Sequence, residues 1–382
     1  MEVGVRVAAG VAPLFASARA LVRWHKVANA TRAHTLEKVN MRLAWLSVLS
    51  LVLPSRCGVL GAASTASKLI VVTGANSGIG KECCRHLASL GGYRVMMGCR
   101  NVTAGHEVAS DILREHPEAC VECHPLDLAS FSSVRSFARR AVGGRPVSGV
   151  IHNAGVMAPP YTTTVDGHEL TFQVNHLAPF YLTELLLPNL RKGYRETGDE
   201  SRVVVVASGA HRWASADGRG AAGGLASGAG AAQHVMGAGG VATPAAASRG
   251  WGVGKWKAYA ESKLCNVLYA AELTRRYGGD GSGVVAVAVR PGTVGTAIAR
   301  HSPLLRLFFA LASPFLTSVE KAGEVVSNAA VDPYVAPGAY YDKEIRKPAS
   351  AAARDKELQA ALWEVSTNIL VSGGDLQRAV AL

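Results

Sequence analysis

Short apolar runs alternate with segments of helical period along most of this chain. The runs are rich in β-branched residues and lie at 69–72, 93–97, 120–123, 147–151, 203–206 and 284–289. Runs of this length without polar alternation are typical of strands buried on both faces. Between them, apolar residues recur at helical spacing, as at Leu87 and Leu90. The pattern predicts an α/β fold, a single Rossmann-type doubly wound parallel sheet of about seven strands with helices on both faces.

Three further segments flank or interrupt that predicted domain, which we place at residues 68–345. Residues 212–250 are mostly Ala, Gly and Ser and bury too little apolar surface to order well, so they are expected to form a flexible insertion. Residues 346–382 are expected to form a C-terminal helical extension. Residues 1–67 precede the first strand and differ from the rest in composition.

The amino-terminal segment is basic and carries one apolar stretch. Residues 1–68 contain nine Lys or Arg and two acidic residues, which gives them a net charge of +7 out of +12 for the whole chain. The stretch 43–53, ended by Pro54, is shorter than the roughly 20 residues that span a bilayer. We interpret 1–67 as a removable targeting leader for an organelle, the plastid favoured, with the endoplasmic reticulum membrane or the mitochondrion as alternatives. The other interpretation is a helix that is buried or contacts a membrane surface.

The remaining positive charge does not indicate a nucleic-acid partner. It is small and contains no basic run interleaved with aromatic residues, so nucleic-acid binding is disfavoured. The seven cysteines are an odd number without framework spacing, which favours reduced thiols. Cys120-x-x-Cys123-His124 matches a haem-attachment pattern, but it lies in an extended segment without an evident second axial ligand. We therefore expect no metal or haem.

A glycine-rich turn follows the first predicted strand and opens a helix. It reads Gly74-x3-Gly78-x-Gly80, and glycines there let the backbone approach a pyrophosphate at the helix N-terminus. The alternative is a turn that only packs helix against strand. At the end of the second strand, Arg100 and Asn101 stand where a binder of the non-phosphorylated dinucleotide carries an acid, so NADP is the expected cofactor. Otherwise Arg100 is a solvated loop charge.

Tyr259 and Lys263 stand four residues apart and therefore share one helix face. An ammonium beside a phenol is expected to lower the phenol's pKa, which would let Tyr259 exchange a proton with a substrate oxygen. The alternative is an ordinary half-buried aromatic. His211 lies near Ser208, but without a Gly-x-Ser-x-Gly elbow it does not indicate a hydrolase triad. His176 is expected to pack between helices.

Taken in order, these motifs resemble the short-chain dehydrogenase/reductases over roughly residues 68–345. The resemblance rests on the glycine turn, Asp127, Asn153-Ala154-Gly155, Asn175, Ser208, Tyr259-x3-Lys263 and Pro291-Gly292. It implies hydride transfer at a nicotinamide, with Tyr259 as the proton donor or acceptor, Lys263 on the ribose hydroxyls, Ser208 on the substrate oxygen, and Asn175 at a bulge with a relay water. It implies cofactor contacts at Gly74, Asn76, Ser77, Gly78, Ile79, Gly80, Arg100, Asn101, Asp127, Leu128, Asn153, Ala154, Gly155, Tyr259, Lys263, Pro291, Gly292, Thr293 and Thr296.

Ser208 is separated from Tyr259 by 51 residues, more than is usual in that family, and the Gly/Ala-rich insertion accounts for the excess. The alternative for Ser208 is a strand-end cap.

The substrate is expected to be a lipophilic small molecule. Residues 304–311, with Phe315 and Leu316, form an apolar segment where the family builds its substrate lid; an amphipathic core helix is the alternative. Segments such as 152–157 and 362–366 are similar to the branch of retinol dehydrogenases, WW-domain oxidoreductases and light-dependent protochlorophyllide reductases. Those pigment reductases carry a cysteine where this chain has Thr293, so light-driven reduction is the second hypothesis and a non-catalytic NADP-binding scaffold the third. The oligomeric state is left open, with a homodimer as one alternative.

Overall fold

The computed structural model describes residues 67–214, 253–294 and 316–375. Nearly all of the predicted targeting leader and of the Gly/Ala-rich insertion, the apolar segment 304–315 and Thr296 therefore lie outside the described residues. Among the helices of those three ranges, none combines the length and apolar content that a membrane span requires.

A mostly parallel sheet forms the centre of the described structure, as predicted. Its strands are β1 (Lys68–Thr73), β2 (Tyr93–Cys99), β3 (Cys120–Pro125), β4 (Gly149–His152), β5 (Ser201–Val206), β6 (Val284–Arg290), β7 (Tyr340–Asp342) and β8 (Ile345–Lys347). They run in the order β3-β2-β1-β4-β5-β6-β7-β8. All neighbours are parallel except β7 and β8, which pair antiparallel. The fold-class prediction is confirmed, with eight strands in place of about seven.

Helices connect the strands and cover both faces of the sheet. They are α1 (Gly78–Leu90), α2 (Val102–Glu115), α3 (Phe131–Ser136), α4 (Leu170–Phe172), α5 (Ala178–Thr197), α6 (Val253–Tyr277), α7 (Val319–Val331) and α8 (Lys356–Ser372). Two π-helical turns, Phe137–Val142 and Gln173–Leu177, continue α3 and α4, respectively. The Ser130 side chain caps α3 by accepting from Ser133 N.

Each inner strand contributes side chains to two separate cores. On β1, Ile70 and Val72 join the core under α1, α2 and α7, whereas Leu69 and Val71 join the one under α3, α5, α6 and α8. Burial of both strand faces explains why these segments read as continuous apolar runs rather than alternating ones. The chain after β1 crosses to β2, and β4 pairs on the other side of β1. This reversal opens a crevice at the carboxyl ends of β1 and β4, where ligands of open α/β sheets bind.

The C-terminal extension belongs to the second of these cores. Trp363 on α8 stacks on Tyr269 at 5.9 Å between ring centroids and meets the edge of Phe180 at 4.8 Å. His176 in the Gln173–Leu177 turn hydrogen-bonds Ser366 at 2.8 Å. These contacts fix α8 against α5 and α6.

Candidate active site

A cleft of about 750 Å³ lies at the carboxyl edge of the sheet. Most of the residues singled out in the sequence line it: Gly74, Asn76, Ser77, Gly78, Ile79, Arg100, Asn101, Asp127, Leu128, Asn153, Ala154, Gly155, Ser208, Tyr259, Lys263, Pro291, Gly292 and Thr293. Gly80 and Asn175 are buried behind its wall. The glycine turn and the Tyr259–Lys263 pair thus share one cavity.

The glycine turn is held in place by the segment after β4. Gly74 and Gly78 have φ of +66° and +54°, a conformation that side chains disfavour. The amide of Asn153 donates to Thr73 O at 3.0 Å and to Gly74 O at 3.2 Å. A Cβ on Gly80 would lie 2.4 Å from both that amide nitrogen and Gly74 O, so Gly80 serves the packing of α1.

The N-terminus of α1 faces the cleft through Ser77, Gly78 and Ile79. The Ser77 side chain makes no capping hydrogen bond to the helix, so the N–H groups of the first turn keep their donor capacity. Free N–H donors at the positive end of the helix dipole suit a phosphate group.

Arg100 follows β2 at the rim of the same cleft. Its side chain is exposed and, within the three described ranges, has no hydrogen bond or ion pair. Its neighbour Asn101 caps α2 by accepting from Ala104 N at 3.1 Å. A mobile guanidinium beside a helix N-terminus provides a local concentration of positive potential.

Asp127 and Leu128 form the wall on the β3 side of the cleft. The Asp127 carboxylate accepts from Ala129 N at 2.9 Å, and its backbone N–H donates to Ser133 Oγ at 2.9 Å. These bonds fix the turn that follows β3.

Tyr259 and Lys263 lie on the cleft side of α6, and both are buried. The Lys263 ammonium donates to Val206 O, the last residue of β5, at 2.9 Å and lies 5.7 Å from the Tyr259 ring centroid. Burial lowers the pKa of Lys263 to about 8. The lysine is therefore anchored to the sheet edge and carries an easily lost proton.

The pKa of Tyr259 differs from the value expected from sequence. Burial raises it, and a hydrogen bond with the Ser208 side chain offsets part of the rise. The expectation of a lowered pKa was wrong for the protein alone, because Lys263 hydrogen-bonds the β5 carbonyl and desolvation outweighs its charge.

Ser208 begins the short 3₁₀ turn Gly209–Arg212 directly after β5. Its hydroxyl accepts from Ala210 N at 3.2 Å and lies near enough to Tyr259 to lower the pKa of the phenol. The strand-end cap that was the alternative from sequence is thus present, and Ser208 also lines the cleft where a substrate oxygen would bind.

Asn175 lies in the Gln173–Leu177 π-turn and ties two walls of the site together. Its carbonyl oxygen accepts from Val156 N at 2.8 Å, and its amide donates to Val156 O at 2.9 Å and to Ser262 Oγ at 3.0 Å. Ser262 in turn donates to Tyr259 O at 2.7 Å. Asn175 thereby links the segment following β4 to the backbone of Tyr259.

Sequence inspection missed several residues of the cleft. Arg290 precedes the Pro-Gly pair and forms an ion pair with Asp342 at 3.0 Å, and it donates to Thr293 Oγ1 at 3.3 Å. Apolar side chains also line the cleft, the larger of them Met157, Trp213, Trp256 and Val294, and Met157 packs against the cluster that contains Tyr259. Trp213 lies at the start of the insertion and Trp256 follows its end, and that position was the available signal.

The β3 motif Cys120-x-x-Cys123-His124 lies away from this cleft, with free thiols and with His124 bonded to Glu122 at 3.3 Å. Across the described ranges, no cluster of three or more His, Cys, Asp or Glu could hold a metal ion.

Comparison with known proteins places this geometry in a family context. A family model described as short chain dehydrogenase matches residues 68–218. Mouse retinol dehydrogenase 12 is 35% identical over 341 residues, which cover 86% of this chain and 96% of that protein. The WW domain-containing oxidoreductase of Gallus gallus is 34% identical, over 79% of this chain and 68% of its own length.

Solved structures show the same architecture. An uncharacterized protein from Mycobacterium paratuberculosis matches with a TM-score of 0.57 and 29% identity, covering 80% of this chain and 94% of its own. Salutaridine reductase from Papaver somniferum matches with a TM-score of 0.51 and 22% identity, and the match covers 72% of this chain and 99% of that one. At this identity the likeness supports the fold alone.

Proposed function

Because the chain belongs to the short chain dehydrogenase family, we propose that it is an NADP(H)-dependent oxidoreductase acting on a lipophilic alcohol or carbonyl, in the manner of a retinol dehydrogenase. One observation supports this above the others: Ser208, Tyr259 and Lys263 line the same cleft as the glycine turn. A phosphate site and a proton-exchanging group within one cavity are the parts that hydride transfer to a carbonyl requires.

The residues of the cleft fit a dinucleotide phosphorylated on its ribose. The α1 N-terminus would hold the pyrophosphate, Arg100 the 2′-phosphate, and Asp127 with Leu128 the adenine side. Lys263 and the Pro291–Thr293 segment would hold the nicotinamide end. When bound, the cofactor supplies or accepts the hydride.

The protein's own groups then handle the substrate oxygen. Tyr259 gives its phenolic proton to the oxygen during carbonyl reduction and takes one back during alcohol oxidation. Ser208, which lines the cleft with Tyr259, donates a hydrogen bond to the same oxygen and stabilises its developing charge. Lys263 supplies positive charge at the pocket floor, and Asn175 holds the backbone of this unit in position.

The wall beside Tyr259 favours an apolar substrate. Trp213 is 68% exposed although it is a large aromatic residue, and it lines the cleft together with Met157, Trp256 and Val294. An exposed indole at a pocket mouth marks a surface that gains free energy when apolar matter covers it. The relatives named for retinol support the same substrate class.

Purified protein mixed with NADPH and all-trans-retinaldehyde tests the proposal, with a short hydrophilic aldehyde as the matched control. We expect NADPH consumption in darkness with the lipophilic aldehyde and much less with the hydrophilic one. Turnover only under illumination of a porphyrin-type pigment would favour the second hypothesis, despite Thr293 at the cleft wall. Tight NADPH binding without turnover of any carbonyl would favour the scaffold.

Placement in the cell and assembly also remain proposals. The proposals of a removable leader and of a plastid location rest on the composition of residues 1–67. The proposal of membrane-surface contact rests on the apolar stretch 43–53. No contact within the described ranges supports the homodimer. Western analysis of organelle fractions and light scattering of the purified protein would test them.

A further inference from the structure

His211 is fully buried and lies three residues after Ser208. It lies on the 3₁₀ turn Gly209–Arg212, and its Nδ1 is 2.7 Å from the carbonyl oxygen of Ser208. On the other side of the ring, Ser350 N donates to Nε2 at 3.3 Å. The ring also packs on Tyr340 of β7, with 4.9 Å between centroids. The imidazole thus bridges the Ser208 turn and the start of the C-terminal extension.

The partners of the ring fix its protonation state. A backbone N–H can only donate, so Nε2 must accept and carries no proton. Nδ1 therefore carries the proton and donates it to the Ser208 carbonyl. Only the neutral imidazole makes both bonds, since the imidazolium would point a second N–H at the N–H of Ser350.

Arg212, the next residue, strengthens the same bridge. Its guanidinium donates to Pro348 O at 2.8 Å and lies over the Tyr340 ring at 5.9 Å. From Ser350 the connection continues inward: Ser350 Oγ accepts from Ala353 N, and Ala353 O accepts from the Gln359 amide of α8. The Ser208 turn is consequently linked through His211 to a helix packed in the core.

We propose that His211 is a positioning residue, which holds the Ser208 hydroxyl in line with Tyr259 by tying the Ser208 carbonyl to the backbone at Ser350. This inference rests on the proposed function, because Ser208 matters through its contact with the substrate oxygen. It assigns the C-terminal extension a role in the geometry of the reaction centre.

The charges around His211 keep it neutral at physiological pH. Burial lowers its pKa below the ordinary value of 6.5, the Ser208 carbonyl raises it in part, and Arg212 and Arg290 lower it. Tyr340 and Asp342 on β7 are the other titratable groups on this side, and Arg290 is paired with Asp342. Acidification below pH 6.5 should therefore begin to disconnect Ser350 and lower the rate.

Two amide substitutions separate the two bonds of the ring. His211→Asn places an amide N–H near the position of Nδ1 and keeps the bond to Ser208, whereas His211→Gln reaches only the Nε2 position. We expect His211→Gln to lower kcat for retinaldehyde reduction by roughly tenfold to a hundredfold, because small displacements of a reacting group are costly. His211→Asn loses the bond to Ser350, so it should lower kcat as well, and because neither variant titrates, both should lose the acid limb of the kcat–pH profile. His116→Asn, at the far end of α2, is the control and should leave rate and profile unchanged.

NADPH affinity and hydrogen exchange complete the test. The dissociation constant for NADPH should stay within about twofold in both His211 variants, since neither bond faces the cofactor side. Amide exchange should quicken at 208–212 in His211→Gln, which loses the bond to Ser208, and at 350–353 in His211→Asn, which loses the bond to Ser350. Absence of turnover by the wild-type protein would refute the proposed function. The exchange data alone would then show whether His211 connects Ser208 to Ser350. Equal kcat in wild type and His211→Gln, or unchanged exchange, would overturn the inference.

Discussion

The protonation of Tyr259 and Lys263 is set by burial more than by their mutual proximity. Desolvation raises the pKa of the phenol and lowers that of the ammonium to about 8, so at pH 7 the phenol is neutral while the ammonium still carries its charge. The Ser208 hydroxyl offsets part of the rise in the pKa of Tyr259. In our proposal Tyr259 is thus a neutral proton donor at pH 7, ready for carbonyl reduction.

Removal of the Tyr259 hydroxyl tests this role. We expect Tyr259→Phe to lower the rate of retinaldehyde reduction at least roughly a hundredfold, the usual contribution of a positioned general acid. NADPH affinity should change little, because the ring and its packing remain. Stopped-flow or steady-state assays with fluorescence titration of NADPH measure both quantities. Tyr334→Phe, at a tyrosine that is 91% exposed, is the control, and a wild-type rate in Tyr259→Phe would remove Tyr259 from the mechanism.

Arg100 is the residue on which cofactor choice depends in our proposal. Its exposed guanidinium at the rim of the cleft would form charge-assisted bonds to a 2′-phosphate, each worth about 1.5–3 kcal/mol. Arg100→Asp should therefore weaken NADPH binding by at least tenfold and NADH binding far less. Calorimetric titration of both nucleotides measures the difference, with Arg139→Asp, an exposed arginine of the 137–142 π-turn, as control. Equal weakening of both nucleotides would argue against a phosphate contact.

At the level of elements, the glycine turn depends on one close approach. The amide of Asn153 reaches across from the end of β4 to the carbonyls of Thr73 and Gly74, and α1 must pass over it at Gly80. The absence of a side chain at Gly80 is therefore a packing requirement between α1 and the β1–β4 edge.

Gly80→Ala tests that requirement. The added Cβ would lie 2.4 Å from Asn153 Nδ2 and from Gly74 O, and the second of these is backbone that cannot move freely. Overpacking of this kind costs about 1–3 kcal/mol of unfolding free energy and should also weaken NADPH binding. Urea denaturation and nucleotide titration measure the two effects. Gly144→Ala, where a Cβ meets nothing within 4 Å, is the control, and equal stability of the two variants would contradict the packing argument.

The elements that the sequence predicted are those whose signal is local. The inner strands are buried on both faces and form continuous apolar runs, so their prediction needed only small shifts of bounds, as did that of the partly buried edge strand β3. The three-residue strands β7 and β8 carry no such run and form only because β6 and a tight turn align them. The π-turn around Asn175 adds one residue to a helical repeat, a change that apolar spacing does not reveal.

The same distinction applies to the site. The glycine turn and the Tyr259–Lys263 pair are short motifs, and their positions in the cleft follow from the strand order. Arg290, Trp213 and Trp256 line the cleft because distant segments meet there, and no spacing rule links them. The direction of the Tyr259 pKa shift also required the structure, because it depends on how completely the folded chain excludes water.

For the molecule as a whole, buried histidines couple folding to pH. His152 and His176 are fully enclosed, and burial lowers the pKa of each to about 3. The hydroxyls of Thr183 and Ser366 donate to helix carbonyls, so each histidine donates from Nε2. Within the described part of the chain, neither Nδ1 has a hydrogen-bond partner. Protonation would place an uncompensated N–H⁺ in an apolar core.

The sign of the resulting pH effect follows from these values. In the unfolded chain the histidines bind protons near pH 6.5, whereas in the folded chain they stay neutral down to about 3. Stability is therefore complete above pH 6.5 and falls as the pH decreases toward 3, by up to about 1.4 kcal/mol per pH unit for each histidine. Glu184 and Glu261 act in the opposite direction, since burial raises the pKa of each to about 7 and favours the folded state on acidification to 4.5.

Comparison of variants isolates the histidine contribution from that of the glutamates. His176→Gln keeps an N–H donor for Ser366 but cannot titrate, so its unfolding free energy relative to wild type should improve steadily as the pH falls from 7 to 4. His106→Gln, at an exposed position of α2, should follow the wild-type curve. Urea denaturation at half-unit pH steps measures all three proteins against one another. If the difference in unfolding free energy between wild type and His176→Gln does not change with pH, then protonation of His176 does not oppose folding. The hydrogen bond between His176 and Ser366 of α8 would then not depend on a neutral imidazole.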